Sequence, residues 1–135
     1  MAYNILVVDD SSVMRMIIIK TLRLSKLPLG EIHEAGNGQE ALEVLAGKWI
    51  DLVLVDINMP VMNGEEMINR LRENPATADL PILIVSTEGS ETRKERLVQK
   101  KVGFIHKPFT PESLRFAIVR TLGGSDEQKA GDGTF

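Results

Sequence analysis

The 135-residue sequence contains no cysteine, only two histidines, and a single tryptophan and tyrosine. The lack of cysteine excludes disulfides, thiol nucleophiles and thiolate metal sites. Two histidines are too few for most zinc sites, which take three or four nitrogen, sulfur or oxygen ligands from the protein. Any metal site must therefore be built largely from oxygen ligands, which favour hard cations.

Long hydrophobic runs and an excess of positive charge are also absent. No stretch of about 18 apolar residues occurs, which excludes a membrane-spanning helix. Sixteen Lys and Arg residues stand against 19 Asp and Glu, so no basic excess favours nucleic acid. The N-terminus has no basic region and reaches two aspartates after one short apolar run, unlike a signal peptide. We therefore expect a cytoplasmic protein whose partners include neither nucleic acid nor a membrane.

The chain alternates short apolar runs with helical periods, which predicts βαβ units and a parallel sheet with helices on both faces. The apolar runs are, in order, Ile5–Val8, a weaker one at Glu31–Ala35, Ile50–Val55, Ile82–Val85 and Phe104–Ile105. Helical periods follow them near residues 13–24, 37–47, 67–71, 91–101 and 110–122. Five such units fill residues 4–122, so we expect one domain over residues 1–122.

Three segments carry further expectations. Residues 123–135 include four glycines and have almost nothing to bury, which predicts a disordered tail. The helix over 13–24 is apolar on nearly every side, and we interpret this excess as core. The predicted helix over 91–101 opens with ETRKER, which has no apolar side chain, so we expect it to be the least stable helix.

Polar side chains follow four of the five predicted strands. Asp9 and Asp10 come after the first, Asp56 after the third, Ser86 after the fourth and Lys107 after the fifth. The carboxyl ends of parallel strands meet at one edge of the sheet, where ligands bind. Clustered carboxylates repel one another unless a cation lies among them, and such oxygen ligands suit Mg²⁺. A carboxylate can also act as a nucleophile that accepts a phosphoryl group, whose oxygens an ammonium and a hydroxyl would then bind.

Four motifs with these residues occur in order: LVVDDS (6–11), LVLVDINMPVMNG (52–64), PILIVST (81–87) and FIHKPF (104–109). Together they resemble the receiver domain of two-component response regulators, in particular the single-domain chemotaxis (CheY-like) type. The resemblance covers residues 4–122. It implies a flavodoxin-like fold, a three-layer (βα)5 sandwich around a five-stranded parallel sheet of order 2-1-3-4-5, of which this type is a known example.

The resemblance also implies a role for each site residue. Asp56 is the expected phosphoacceptor, and Mg²⁺ is expected to bind Asp9, Asp10, Asp56 and the main-chain carbonyl of Asn58. Lys107, followed by a cis peptide bond to Pro108, is expected to pair with the phosphoryl oxygens.

The remaining roles concern the switch and its lifetime. Ser86 and Phe104 take the two switch positions that move when the phosphoryl group is bound. Phe104 lacks the hydroxyl of the more usual tyrosine. Asn58 and Glu88 flank the site, where the family modulates dephosphorylation.

The implied function is a phosphoacceptor switch rather than an enzyme. At most it would phosphorylate itself from small donors and dephosphorylate slowly. Its expected partners are a sensor histidine kinase, a possible phosphatase, and a downstream protein in chemotaxis or other signalling. The downstream protein would bind at the fourth predicted helix, the fifth strand and the fifth predicted helix.

Three enzymatic or cofactor-binding alternatives are less consistent with the sequence. An aspartyl-phosphate phosphatase commonly has a second carboxylate two residues after its nucleophile, where this chain has Asn58. A flavodoxin would need to bind the FMN phosphate where Asp9 and Asp10 stand. A P-loop nucleotidase is excluded because the motif G-x-x-x-x-G-K-[ST] is missing.

Overall fold

The computed structural model describes residues 2–56, 63–86 and 101–134, with the side chains of Ser86 and of residues 124–134 outside this description. Its strands are β1 (Tyr3–Val8), β2 (Leu29–Ala35), β3 (Leu52–Val55), β4 (Ile82–Ser86) and β5 (Gly103–His106). They form one parallel sheet of order β2-β1-β3-β4-β5. This confirms the flavodoxin-like fold and the strand order that the resemblance to receiver domains implies.

The described residues form four helices: α1 (Ser12–Leu24), α2 (Gly38–Gly47), α3 (Gly64–Glu73) and α4 (Pro111–Thr134). Residues 91–100 of the predicted helix over 91–101 lie outside the described residues, as do Asn58 and Glu88. The backbone of α4 continues through the segment predicted to be a disordered tail, and the domain boundary at residue 122 stays a prediction. None of the described helices is long and apolar enough to cross a membrane.

Side-chain caps begin the three helices that follow β1, β2 and β3. The side-chain oxygens of Ser11, Asn37 and Asn63 accept hydrogen bonds from main-chain N–H groups in the first turns of α1, α2 and α3. Such caps satisfy donors that have no partner within the helix. The Glu40 carboxylate accepts a hydrogen bond from the main-chain nitrogen of Gly36 at 2.7 Å. The turns at the carboxyl edge of the sheet are therefore held by hydrogen bonds.

The hydrophobic core is divided in two by the sheet. Alternate residues of β1 face opposite sides, with Leu6 and Val8 in the cluster that packs with α2 and α3. Ile5 and Val7 belong to the cluster that packs with α1 and α4. All four residues of β3 are buried. Strands that are covered on both faces explain why the sequence shows continuous apolar runs instead of alternation.

The outer face of α1 does not belong to this core. Val13, Met16, Ile17 and Leu24 are exposed, whereas only Ile18 and Leu22 of this helix are fully buried. The interpretation of the apolar excess in α1 as core is therefore wrong for these four residues. A helix packed on a sheet buries one stripe, and apolar residues beyond that stripe remain in contact with solvent.

We expect Leu22→Ala and Leu24→Ala, two residues apart on α1, to have very different effects on stability. Leu22 is 0% exposed and Leu24 is 63% exposed. Truncation of the buried leucine should lower the free energy of unfolding by about 2–5 kcal/mol, because it removes apolar contacts and leaves a cavity. The exposed leucine should change it by less than about 0.5 kcal/mol. Urea denaturation of both variants measures this difference, and equal losses would contradict the packing described for α1.

Candidate functional site

Three carboxylates meet at the carboxyl edge of the two central strands. Val8 and Val55 are register partners at the ends of β1 and β3, and the main-chain nitrogen of Asp56 donates to the carbonyl of Val8 at 2.9 Å. Asp9, Asp10 and Asp56 therefore leave the sheet side by side. One carboxylate oxygen of each lies within 4.8 Å of the others. The structure thus brings together the three acids that the strand ends place at this edge.

Asp9 is the most deeply placed of the three, with only 2% of its surface exposed. Its Oδ1 accepts a hydrogen bond from the main-chain nitrogen of Ser11 at 2.9 Å. Its Oδ2 is buried and has no hydrogen-bond partner in the described part of the chain. Burial raises the pKa of Asp9, and the nearby Asp56 adds to this effect, while the Ser11 N–H opposes it.

Lys107 supplies a positive charge to this cluster. It follows the end of β5, and the peptide bond from Lys107 to Pro108 is cis, as the resemblance implies. The Lys107 Nζ lies 3.7 Å from Asp9 Oδ2, and its side chain is only 16% exposed. This separation permits Coulombic attraction but exceeds hydrogen-bonding distance, which agrees with the lack of a hydrogen bond at Oδ2.

The other predicted site residues lie nearby or outside the described residues. Ser86 ends β4, and its backbone pairs with that of His106 in β5. Phe104 lies in β5, partly buried against the core on the α2 and α3 side. Asn58 and Glu88 lie outside the described residues, and their roles stay predictions.

One further residue at this edge, Arg15, was not predicted from the sequence. Arg15, in the first turns of α1, donates through Nη1 to the main-chain oxygen of Asp9 at 2.6 Å. Its Nε donates to Glu34 Oε1 at 2.8 Å. The sequence carries only a weak signal of this contact: a helical side chain leans toward the N-terminus of its helix, which here is the end of β1.

The donor set fits a hard divalent cation. Asp9 contributes a buried oxygen that lacks a hydrogen bond, Asp56 is partly buried and Asp10 is exposed. Carboxylate oxygens that converge from a buried to an exposed position can bind Mg²⁺ while leaving room for water and phosphate oxygens in its octahedral shell. The three aspartates could therefore hold Mg²⁺.

We expect Asp9→Asn to stabilise the protein in metal-free buffer at pH 7. Since the pKa of Asp9 is raised in the folded state, ionisation of this carboxyl opposes folding, and a neutral amide avoids that penalty. The midpoint of thermal unfolding should therefore rise. The neighbouring Asp10→Asn is the comparison variant: it relieves some of the repulsion on Asp9 but none of its burial, so it should raise the midpoint less than Asp9→Asn does.

The raised pKa of Asp9 also makes stability depend on pH. A protonated Asp9 contributes stability below its ordinary pKa of 3.8, and this contribution is lost as the pH rises through the raised pKa of the folded state. The stability that Asp9→Asn gains over the wild type should therefore shrink as the pH is lowered from 7 toward the pKa of Asp9 in the folded state. An Asp9→Asn variant that melts below the wild type at pH 7 would contradict this account of the buried carboxylate.

Comparisons with known proteins agree with this geometry. Residues 5–119 match the family model of the response regulator receiver domain. The chain is 40% identical to a chemotaxis protein CheY homolog of Campylobacter jejuni, over 94% of this chain and 98% of that protein. It is 39% identical to the chemotaxis protein CheY1 of Helicobacter pylori, over 91% and 99% of the two chains.

The structure of Vibrio cholerae CheY4 superposes with a TM-score of 0.79 at 32% identity, covering 90% of this chain and 99% of that one. The chain therefore belongs to the receiver domains of two-component response regulators, and within them it is CheY-like.

Proposed function

We propose that this receiver domain is a Mg²⁺-dependent phosphoacceptor switch in which a sensor histidine kinase phosphorylates Asp56. The observation that carries the proposal is the convergence of Asp9, Asp10 and Asp56 within 4.8 Å, with Lys107 3.7 Å from the buried oxygen of Asp9. Receiver domains typically bind Mg²⁺ at an acidic pocket of this kind. The phosphorylated form would act in the cytoplasm on a downstream protein, and a phosphatase would be a possible further partner.

The chemical step would combine the carboxylates and Lys107 at this edge with Mg²⁺ and a phosphodonor. A carboxylate oxygen of Asp56 attacks phosphorus and forms the acyl phosphate bond, while the bond from phosphorus to the donor breaks. The electron pair of the broken bond leaves with the imidazole of a kinase phosphohistidine, or with acetate when acetyl phosphate is the donor. Asp9, Asp10, Asp56 and the main-chain carbonyl of Asn58 would hold Mg²⁺, which supplies positive charge to the phosphoryl oxygens. Lys107 pairs with the same oxygens.

The switch would transmit the structural effect of phosphorylation toward β5 and α4. Ser86, at the end of β4, and Phe104 would move toward the phosphorylated Asp56. Phe104 also lines a cavity of about 990 Å³ between the start of β5 and α4. Phe116 and Arg120 of α4 line the same cavity. The Phe116 side chain is 62% exposed. The Arg120 guanidinium lies 5.7 Å from the centre of the Phe116 ring. An exposed aromatic ring and an arginine are typical anchors of a protein interface.

We therefore propose that the downstream protein binds β5, α4 and the predicted helix over 91–101. The names of the relatives from Campylobacter jejuni and Helicobacter pylori favour chemotaxis as the pathway. The aspartyl-phosphate phosphatase remains the alternative. It is disfavoured because an amide at Asn58 cannot donate the proton that fast turnover requires. Glu88 and Asn58 would tune a slow loss of the phosphoryl group.

We expect Asp56→Asn to abolish phosphorylation by acetyl phosphate in the presence of Mg²⁺, because an amide is not a nucleophile for this reaction. Intact-protein mass spectrometry detects the added phosphoryl group. Asp51→Asn is a matched control, since Asp51 and Asp56 immediately precede and follow the same strand, β3, at its opposite ends. Asp51 binds the main-chain nitrogen of Asn4 at 2.8 Å, far from the carboxylate cluster.

Wild type and Asp51→Asn should accept the phosphoryl group and lose this ability when Mg²⁺ is removed with a chelator. Uptake by Asp56→Asn equal to that of the wild type would refute the assignment of the phosphoacceptor. Rapid release of phosphate from small phosphomonoesters would favour the phosphatase instead.

We further expect phosphorylation to change the magnetic environment of β5 and α4. Amide NMR signals of Phe104 and Phe116 should shift on addition of acetyl phosphate and Mg²⁺, and should not shift in Asp56→Asn. The indole N–H of Trp49 is the internal control, because it donates to Asp51 at 2.9 Å beyond the opposite end of β3. Shifts restricted to the residues around Asp56 would count against transmission to β5 and α4.

A further inference from the structure

Arg15 lies beside the carboxylate cluster, and its guanidinium donates hydrogen bonds to two acceptors. Its side chain is only 18% exposed. The Nη1 group donates to the main-chain oxygen of Asp9 at 2.6 Å, and the Nε group donates to Glu34 Oε1 at 2.8 Å. One guanidinium thus joins α1, the end of β1 and the edge strand β2. Hydrogen bonds from a charged donor are stronger and more directional than neutral ones.

The oxygen that Arg15 binds belongs to the peptide group between Asp9 and Asp10. A peptide group is planar, so a fixed oxygen restricts the orientation of the whole group. Other hydrogen bonds hold the rest of Asp9: its main-chain nitrogen donates to Ala35 at 3.1 Å, and its Oδ1 accepts from Ser11 at 2.9 Å. Asp10 is exposed, and the shared peptide connects its backbone to these contacts.

We propose that Arg15 is a positioning residue for the divalent-cation site, oriented by Glu34 and acting through the Asp9–Asp10 peptide. The inference rests on the proposed function in taking the three aspartates as that site. Arginine suits this role because its rigid fork holds two acceptors at a fixed angle, which lysine cannot do. Mg²⁺ demands nearly ideal octahedral geometry, so a small rotation of one carboxylate lowers its affinity.

A purely electrostatic role and a positioning role predict opposite effects of removing Arg15 on Mg²⁺ affinity. A guanidinium near a cation site repels the cation, so its removal should strengthen Mg²⁺ binding if charge alone were important. If Arg15 positions the aspartates, its removal should weaken Mg²⁺ binding despite the lost repulsion. The sign of the change in affinity therefore separates the two effects. A residue that only fastens α1 to β2 would change stability and leave the affinity as it is.

The experiment is calorimetric titration of the full chain with MgCl₂. Arg15→Gln should weaken Mg²⁺ binding by about tenfold, a typical effect of losing a group that orients a metal ligand. The double variant Arg15→Gln/Glu34→Gln has the same net charge as the wild type and should show the same loss as the single variant. Arg15→Lys keeps the charge without the fork and should give an intermediate loss.

Arg70→Gln is the matched control, because Arg70 is 56% exposed and pairs with Glu66 at 3.5 Å on the surface of α3. Its Mg²⁺ affinity should equal that of the wild type. Thermal midpoints measured without metal show which variants are folded. If Arg15→Gln does not fold, Arg15→Lys carries the test, and wild-type affinity in that variant overturns the proposal.

Two further results, with the wild type and a folded Arg15→Gln, overturn the inference in distinguishable ways. If the wild type binds Mg²⁺ and Arg15→Gln binds it equally or more tightly, Arg15 is not a positioning residue, while the proposed function stands. If the wild type does not bind Mg²⁺ at all, the proposed function fails, and the inference fails with it.

Discussion

Electrostatic repulsion among Asp9, Asp10 and Asp56 is the constraint on which this site depends. The three carboxylates are crowded at the ends of β1 and β3 because the parallel register places Val8 beside Val55. Burial makes the charge of Asp9 still less favourable and raises its pKa. Lys107 lies too far from Asp9 Oδ2 for a hydrogen bond and offsets only part of this cost. Such a site favours the binding of positive charge, which is the chemistry that a phosphoryl group also requires.

The scaffold around the cluster is suited to holding like charges together. β1 and β3 are covered by side chains on both faces, and hydrogen-bonded caps begin the helices that follow them. Rigid packing of this kind keeps the carboxylates close in spite of their repulsion. By contrast, the surface of α4 is less enclosed, with Phe116 exposed beside a cavity. In the proposed function, phosphate chemistry therefore belongs to the central strands and partner binding to β5 and α4.

Much of this arrangement could be predicted from the sequence because strands buried on both faces leave continuous apolar runs. The polar residues that follow the first, third and fifth runs then identified Asp9, Asp10, Asp56 and Lys107. The parallel sheet brings the ends of these strands to one edge. The contacts of Arg15 could not be predicted in this way, since they depend on a main-chain carbonyl and on Glu34, which is distant in sequence. The exposed face of α1 was also misjudged, because a helix that is apolar on all sides does not reveal which stripe meets the sheet.

The most direct test of the central claim is to map the phosphorylated residue chemically. Reduction with borohydride converts an aspartyl phosphate to homoserine, which peptide mass spectrometry locates in the sequence. After treatment with acetyl phosphate and Mg²⁺, we predict homoserine at position 56 and intact aspartate at positions 9 and 10. Homoserine at another position, or none in protein that has demonstrably bound Mg²⁺, would contradict the account.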